Sequence, residues 1–184
     1  SLWIGQRIFA CQNGNNLMEV HVYDDFLPEY QFNLIQKSCL DSPVPWYWNE
    51  GVSSSHDGNY QFTHMVYRES LGGENSYLFP YFNPVLEKLK ARRIVRIKMN
   101  LNQKTFFHRR TGWHIDYGPD DLRPHTKTAV LYLNTNNGWT SFKKGGRVKS
   151  KSNRIVIFDS SLKHQGVTCT DNNRRVIVNF NYDI

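Results

Sequence analysis

Residues 175–182, with the sequence RVIVNFNY, carry the alternation that predicts the fold of this chain. Successive side chains of a β-strand point to opposite faces, so every second residue shares a face. The two faces would hold different residues, with Arg175, Ile177, Asn179 and Asn181 on one and Val176, Val178 and Phe180 on the other. The segment is therefore predicted to be a strand between an apolar core and a polar interior.

Short runs of β-branched and aromatic residues recur through residues 92–184, about eight to twelve positions apart. Turn residues separate them, and the segments 136–138 (Asn-Asn-Gly) and 143–146 (Lys-Lys-Gly-Gly) predict hairpins. The runs are Ile94–Leu101, Trp113–Tyr117, Thr128–Leu133, Arg147–Lys149, Arg154–Phe158, Gln165–Cys169 and Arg175–Tyr182. This pattern is typical of a sandwich or barrel, and we expect a jelly-roll barrel.

Residues 1–91 have a different pattern. Helical spacing predicts one helix from the pair Asp24-Asp25 to about Leu40, and a second over residues 77–90. Val22 and residues 61–67 are strand-like, and the segment 43–58 is a loop with Trp46, Tyr47 and Trp48 in it. No linker divides the chain, so we expect a single domain over 1–184, mainly β, in which 1–91 supplies helices and supporting strands and 92–184 the barrel core.

Composition excludes several classes of protein. The chain has 184 residues, of which 39% are hydrophobic and 14% aromatic, so it can bury a core and is not a disordered protein. No apolar run reaches the ~20 residues of a membrane span, and residues 1–10 do not resemble a signal peptide. Three scattered cysteines without a CxxC pair argue against disulfides or a thiolate zinc site. A cytoplasmic protein with no membrane partner is expected.

Charge is distributed unevenly between the two halves. Counting charged side chains gives a net charge of −5 for residues 1–91 and +12 for residues 92–184. The second half is therefore expected to attract anions, which include nucleic acids, small dicarboxylates and acidic protein partners. Charge alone does not choose among these.

Residues 113–116, Trp-His-Ile-Asp, carry the pattern that suggests chemistry. On an extended segment, His114 and Asp116 point to the same face. His164 follows a predicted strand by a short turn, 48 residues after Asp116. Two imidazoles and one carboxylate on one side of a metal leave positions open for a cosubstrate and O2, as in non-haem Fe(II) oxygenases.

A basic residue stands 10 or 11 positions after His164, as Arg174 or Arg175. Either could pair with an anionic cosubstrate. If Arg174 faced the interior, the apolar residues of this strand would line the metal site and the polar ones would press on the helices. Strand alternation therefore favours Arg175, with Arg174 as its rival.

The ordered set of motifs resembles the 2-oxoglutarate and Fe(II)-dependent dioxygenases, and within them the prolyl 4-hydroxylase-like branch. The match covers the last 90 residues or so, and Tyr23–Glu29 also looks like the start of that branch's first helix. It departs from the branch at residues 137–140, where two glycines usually precede the threonine. The matching segments are Trp113–Asp116, Thr128–Asn134, Gly138–Phe142, Asn153–Asp159, His164 and Arg174-Arg175.

The resemblance implies a double-stranded β-helix (jelly-roll, cupin-like) fold and a role for each matched residue. His114, Asp116 and His164 would hold Fe(II), and 2-oxoglutarate would chelate the metal as cosubstrate with O2. Arg175, or else Arg174, would pair with its distal carboxylate. Other candidate contacts to the cosubstrate are the Tyr132 hydroxyl and the amides of Asn100 and Asn102.

The substrate is the least determined part of the sequence-based hypothesis. Aromatic residues are expected around the barrel mouth, where Tyr117, Trp139, Trp46 and Trp48 would bind an extended peptide. We therefore expect hydroxylation of a peptidyl residue, with proline as first choice. The alternatives are oxidative demethylation of a nucleic-acid base, since bases also stack on aromatic rings, and a barrel that binds without turnover.

Overall fold

The computed structural model describes residues 5–14, 16–51, 59–116 and 126–184. The helices are α1 (Glu29–Leu40) and α2 (Asn83–Leu89), with two short 3-10 turns at Glu69–Leu71 and Phe79–Phe82. No described helix is long and apolar enough to cross a membrane. The described strands are β1 (Gln6–Asn13), β2 (Asn16–Tyr23), β3 (Tyr47–Glu50), β4 (Tyr60–Arg68), β5 (Gly73–Glu74), β6 (Arg93–Gln103), β7 (Thr126–Tyr132), β8 (Trp139–Phe142), β9 (Arg147–Lys149), β10 (Arg154–Asp159), β11 (His164–Val167) and β12 (Arg174–Asp183).

The strands form two antiparallel sheets. The larger sheet has the order β1-β2-β10-β7-β12-β6-β4-β3, and β5 pairs with β4. The smaller sheet has the order β11-β8-β9. One buried cluster joins the two sheets, with Val130 and Phe158 from the larger and Phe142 and Val148 from the smaller. The predicted jelly-roll fold, mainly β, is confirmed.

The other face of the larger sheet packs against the helices. Val176, Val178 and Phe180 of β12 belong to the same buried cluster as Ile35 of α1 and Val85 of α2. This is the apolar face expected from the alternation in residues 175–182. Strand β12 therefore separates the helix-side core from the interior between the sheets.

The first helix begins later than the acidic pair predicted. Pro28 is its N-cap, and Asp25 has a φ of +49°, which is incompatible with a right-handed helix. The segment predicted as the second helix consists of the 3-10 turn at Phe79–Phe82 and the short α2. Both helices still bury apolar residues, because the side chains that face the larger sheet pack into the core.

Predictions for three other segments are wrong. In the described part of 113–117, only His114 forms a β-bridge, so this segment is not a strand. Residues 136–138 do not close a hairpin, because β7 and β8 belong to different sheets. Residues 47–50, expected in a loop, form strand β3. The turn at 143–146 does join the antiparallel pair β8 and β9, as predicted.

Asn153 holds the approach to helix α1 against the larger sheet. Its side-chain oxygen accepts a hydrogen bond from the Leu27 amide at 3.0 Å, and its side-chain amide donates to the Leu27 carbonyl at 2.8 Å. The Phe26 amide donates to the Asn153 carbonyl at 2.9 Å. Asn153 has a φ of +60°, a conformation that asparagine tolerates better than most residues.

We expect Asn153→Ala to lower the free energy of unfolding by about 2–5 kcal/mol. Two buried hydrogen bonds worth about 0.5–1.5 kcal/mol each are lost, and the left-handed backbone costs alanine about 1–2 kcal/mol. Asn153→Gly loses the same bonds without that backbone cost, so it should be less destabilised. Urea unfolding measures both variants. Equal losses would show that the backbone conformation contributes nothing.

Candidate metal and cosubstrate site

A backbone bridge brings the two candidate ligand segments together. The His114 amide donates to the His164 carbonyl at 3.0 Å, and the His164 amide donates to the His114 carbonyl at 2.9 Å. Asp116 lies two residues further on, with its carboxylate inside the molecule. One ligand atom each from His114, Asp116 and His164 lies within 4.8 Å of the others. The spacing in the sequence thus corresponds to a real cluster.

Both imidazoles are oriented by local backbone carbonyls. The Nδ1 atom of His114 donates to the Gly112 carbonyl at 3.0 Å, and that of His164 donates to the Leu162 carbonyl at 3.0 Å. A ring nitrogen that donates in this way leaves the other nitrogen, Nε2, with a free lone pair. Burial, and next the neighbouring His164, lower the pKa of His114, which favours the neutral form that binds metals.

Three donors hold the Asp116 carboxylate. Arg96 donates to Oδ1 at 3.2 Å, while Thr128 and Asn181 donate to Oδ2 at 2.9 and 3.1 Å. Burial by itself would raise the pKa of Asp116, but the neighbouring His164 imidazole and Arg96 guanidinium outweigh it and hold the pKa well below its usual range. Asp116 is therefore an anion in a fixed orientation, as a hard metal ion requires.

A cavity of about 130 Å³ opens beside this cluster. Its walls come from both sheets and are mostly polar. The described residues that line it are Gln61, Arg96, Lys98, Asn100, Asn102, Thr111, His114, Ile115, Asp116, Val130, Thr140, His164, Gly166, Arg175, Ile177 and Asn179.

The structure separates the two candidate arginines. Arg175 is 1% exposed and lines the cavity, where its Nε donates to Ser150 Oγ at 3.0 Å and its Nη2 to Thr140 Oγ1 at 3.2 Å. Among the described residues it has no carboxylate partner. Arg174 instead donates to the Leu40 carbonyl at the end of α1, at 3.0 Å, on the opposite face of β12. Of these two arginines, only Arg175 faces the cavity, where it could bind an anion.

Tyr132 lies one layer behind the cavity wall. It is completely buried, its hydroxyl donates to Thr140 Oγ1 at 2.8 Å, and it is not among the lining residues. Thr140 is the residue that contacts both Tyr132 and Arg175, and sequence reasoning did not single it out. The sequence contains a signal for this residue, because Thr140 occupies the family's threonine position, but that position by itself indicates no chemistry.

Asn100 and Asn102 both line the cavity, as expected for contacts to a cosubstrate. Neither Asn100 Oδ1 nor Asn179 Oδ1 has a hydrogen-bond partner in the part of the chain that the structure describes. Buried acceptors without a hydrogen-bond partner are rare, so a ligand or an ordered water is expected at these two oxygen atoms. Asn179 was noted in the sequence only as a residue on the same face as Arg175.

The described aromatic residues that were predicted to surround the barrel mouth do not line the cavity. Trp48 pairs with Phe62, whose partner on β6 is Leu101, so it lies on the helix side of the sheet. Trp46 also packs against the helix-side core. Trp139 stacks near His108, with ring centroids 4.6 Å apart, and does not line the cavity. Tyr117 lies outside the described residues.

Tyr47 is the aromatic residue of this segment that shares the cavity's face of the sheet. It pairs with Thr63, which in turn pairs with Asn100. It is exposed, so it is available to a ligand near the cavity. Sequence alone could not make this choice, because residues 47–50 were not expected to be a strand with fixed faces.

Sequence reasoning also missed two cations. Arg96 and Lys98 alternate with Ile97 and Met99 on β6, and both line the cavity. The alternation is present in the sequence of residues 94–101, but a local pattern does not show that its polar face borders the site. Burial, and next the nearby Arg96, lower the pKa of Lys98 to about 8.

Comparison with known proteins agrees with this geometry. Residues 98–183 match the family model described as the 2OG-Fe(II) oxygenase superfamily. The chain carries an oxygenase domain of this superfamily over these residues. It is therefore a dioxygenase that uses Fe(II), 2-oxoglutarate and O2, and the predicted enzyme class and cofactors are confirmed. No curated protein matches its sequence.

Solved structures share the fold of this dioxygenase. A prolyl 4-hydroxylase from Pseudomonas putida is 13% identical, with a TM-score of 0.61 over 90% of this chain and 92% of that one. A prolyl hydroxylase from Trichoplax adhaerens, in complex with a hypoxia inducible factor peptide, is 13% identical, with a TM-score of 0.59 over 89% and 83%.

The carbocyclase SnoK from nogalamycin biosynthesis is equally similar. It is 11% identical, with a TM-score of 0.60 over 89% of this chain and 79% of that one. At such low identity these likenesses establish the fold and not the substrate.

The residues present fit the cofactors of the family. The cluster of His114, Asp116 and His164 offers two imidazole nitrogens and a carboxylate oxygen, the donor set that suits Fe(II). Arg175 offers a buried guanidinium without a carboxylate partner among the described residues, which suits a dicarboxylate. Both groups border the same cavity.

Lys98 predicts a pH dependence of stability that is measurable without metal. Its pKa rises from about 8 in the folded protein to an ordinary lysine value of 10.5 on unfolding, so the unfolded chain binds more protons between these values. Stability contributed by this group should be absent below about pH 8 and increase by about 3 kcal/mol as the pH rises to 10.5.

Other groups titrate in the same range, so the comparison must be with Lys98→Met. Urea unfolding of the metal-free proteins at a series of pH values gives the difference between the two. We expect this difference to change by a few kcal/mol over the window, and a pH-independent difference would contradict the prediction.

Proposed function

We propose that residues 1–184 act as a single dioxygenase domain that hydroxylates a peptidyl residue, with proline as the first choice. The overall reaction consumes one C–H bond, O2 and 2-oxoglutarate, and it yields the alcohol, succinate and CO2. The observation that carries the proposal is that one cavity holds the ligand cluster and a buried arginine with no carboxylate partner among the described residues.

In this proposal His114, Asp116 and His164 hold Fe(II), which supplies oxygen activation when it is bound. The Gly112 and Leu162 carbonyls keep the two imidazoles in the tautomer that coordinates through Nε2. Arg96, Thr128 and Asn181 keep the Asp116 carboxylate ionised and oriented.

Arg175 is proposed to bind the distal carboxylate of 2-oxoglutarate. Ser150 and Thr140 fix the guanidinium in place before the cosubstrate arrives, which reduces the entropy lost on binding. Tyr132 is proposed to act through Thr140, because its hydroxyl is already engaged there. Asn102, the cross-strand partner of Arg175 on β6, and Asn100 remain candidate contacts for the cosubstrate.

An exposed strand edge beside the cavity supports a peptide substrate. Among the described residues, β3 pairs with β4 alone, and all four of its residues are exposed. Asn49 of β3 pairs with Gln61, which lines the cavity. An extended peptide could add to this edge as a further strand and pass close to the metal.

The choice of proline comes from the two prolyl hydroxylases that share the fold, one of which was solved with a peptide. A cytoplasmic location is proposed as well, supported by three buried cysteines that are all free thiols.

Arg175→Met should raise the KM for 2-oxoglutarate about 10- to 100-fold, because a charge-assisted bond worth roughly 1.5–3 kcal/mol is lost. Arg175→Lys should recover part of the affinity. Arg174→Met is the matched control, since its side chain contacts α1, and it should leave the KM unchanged. Steady-state assays with succinate as readout measure all three. A larger effect in Arg174→Met would overturn the assignment.

The function itself is tested with a panel of proline-containing peptides. We expect 2-oxoglutarate turnover to rise with some of them, and the peptide to gain the mass of one oxygen. His164→Ala should abolish both signals because the iron site is incomplete. Methylated oligonucleotides form the second arm. Stimulation by oligonucleotides without any response to peptides would replace the peptide proposal with nucleic-acid demethylation.

A further inference from the structure

Lys98 is a cation of the cavity that has no role in the proposed binding of iron or 2-oxoglutarate. It lies on β6 between Arg96 and Asn100, and its side chain lines the cavity. In the described chain it makes no hydrogen bond or ion pair, whereas the neighbouring Arg96 pairs with Asp116. Its side chain is half-buried. An ammonium group that faces a cavity without a counter-ion favours a ligand that pairs with it.

With iron and 2-oxoglutarate bound, the site would keep a net positive charge. Iron carries two positive charges, Asp116 one negative, 2-oxoglutarate two negative and Arg175 one positive, and these cancel. Arg96 and Lys98 remain, and Asp116 is the only carboxylate among the described lining residues. The cavity with its cofactors therefore favours an additional anion.

Two buried acceptors flank Lys98. Asn179 is its cross-strand partner on β12, and Asn100 lies two residues along the same face of β6. Both side chains are 6% exposed, and both have an Oδ1 atom without a hydrogen-bond partner in the described structure. These atoms need N–H or O–H donors. Ionised 2-oxoglutarate has none, so the cosubstrate does not satisfy them.

We propose that Lys98, Asn100 and Asn179 form a substrate subsite for an amino-acid-derived group that combines a carboxylate with an N–H donor. The carboxylate pairs with Lys98, and the N–H satisfies one of the orphaned amide oxygens. This rests on the proposed peptide hydroxylase function, and it narrows the substrate class to segments with an acidic group next to the oxidised residue.

Binding without turnover tests the subsite. The probes are a proline-aspartate peptide with an amidated end and its proline-asparagine counterpart, titrated calorimetrically under anaerobic conditions into enzyme with Fe(II) and 2-oxoglutarate. We expect the acidic peptide to bind about 10- to 100-fold more tightly, in line with a charge-assisted hydrogen bond. Lys98→Met should remove this preference, and Lys98→Arg should retain most of it.

A third peptide distinguishes the source of the carboxylate. It lacks aspartate and ends in a free carboxylate one residue after proline, and it is compared with its amidated form. A preference here, with none for aspartate, assigns the subsite to a chain terminus. A preference for aspartate assigns it to an acidic side chain. Either result supports the subsite.

Controls separate this role from a structural one. Lys37→Met changes an exposed lysine on α1 and should preserve the preference for the acidic peptide. The thermal midpoint of metal-free Lys98→Met should stay unchanged or rise, because a cation without a partner has been removed. A lower midpoint would reveal an internal carboxylate partner for Lys98 and overturn the proposal.

Two further outcomes would also overturn it. One is equal binding by the unmodified enzyme within both peptide pairs, aspartate against asparagine and free against amidated carboxylate. The other is a Lys98→Met variant with a raised 2-oxoglutarate KM and an intact acidic preference, which would place the cosubstrate on Lys98. If acidic peptides bind selectively but no peptide is oxidised, the hydroxylase proposal fails while the subsite stands.

Discussion

Two backbone hydrogen bonds between His114 and His164 fix the relative position of the candidate metal ligands. Neither His114 nor Asp116 belongs to a strand, so nothing in their own segment's secondary structure positions them. The bridge to the start of β11, together with a second bridge between Arg110 and Val167, attaches this segment to the smaller sheet. The histidine rings and the Asp116 carboxylate then meet over one cavity. Loss of this attachment would separate the ligands even if all three side chains were intact.

Strand β12 forms the opposite wall of the cavity, and its two faces lie in different environments, one apolar and one polar. Its apolar face completes the core beneath α1 and α2, while its polar face carries Arg175 and Asn179 into the cavity and Asn181 to Asp116. Because side chains alternate strictly, a shift by one residue would place valines at the metal and an arginine in the core. The same strand therefore supports both the stability of the fold and the chemistry of the site.

Electrostatics explains how so many charged groups are tolerated inside a small cavity. Asp116 is stabilised by Arg96 and by two neutral donors, and Arg175 is held by two hydroxyl groups. These contacts orient the charged groups, but Arg175 and Lys98 keep no carboxylate partner in the described structure. A site preorganised in this way retains affinity for anions that arrive with the reaction, and the energy of burying the cations is recovered when they bind.

The sequence by itself determined the pattern of strands, the cluster of His114, Asp116 and His164, and the inward direction of Arg175. The direction of Arg175 follows from strand alternation, which is a local rule. The ligand set follows from the order of the motifs, although the bridge between His114 and His164 is what brings it together. Tertiary structure alone decided which side chains line the cavity. Tyr132 was displaced from the wall because Thr140, from the other sheet, lies in front of it. Trp48 lies on the helix side because residues 47–50 pair with β4, which fixes its face, and Trp46 packs against the helix-side core. Arg96 and Lys98 reached the cavity because β6 lies beside β12, and such pairing between distant segments is not encoded in any local pattern.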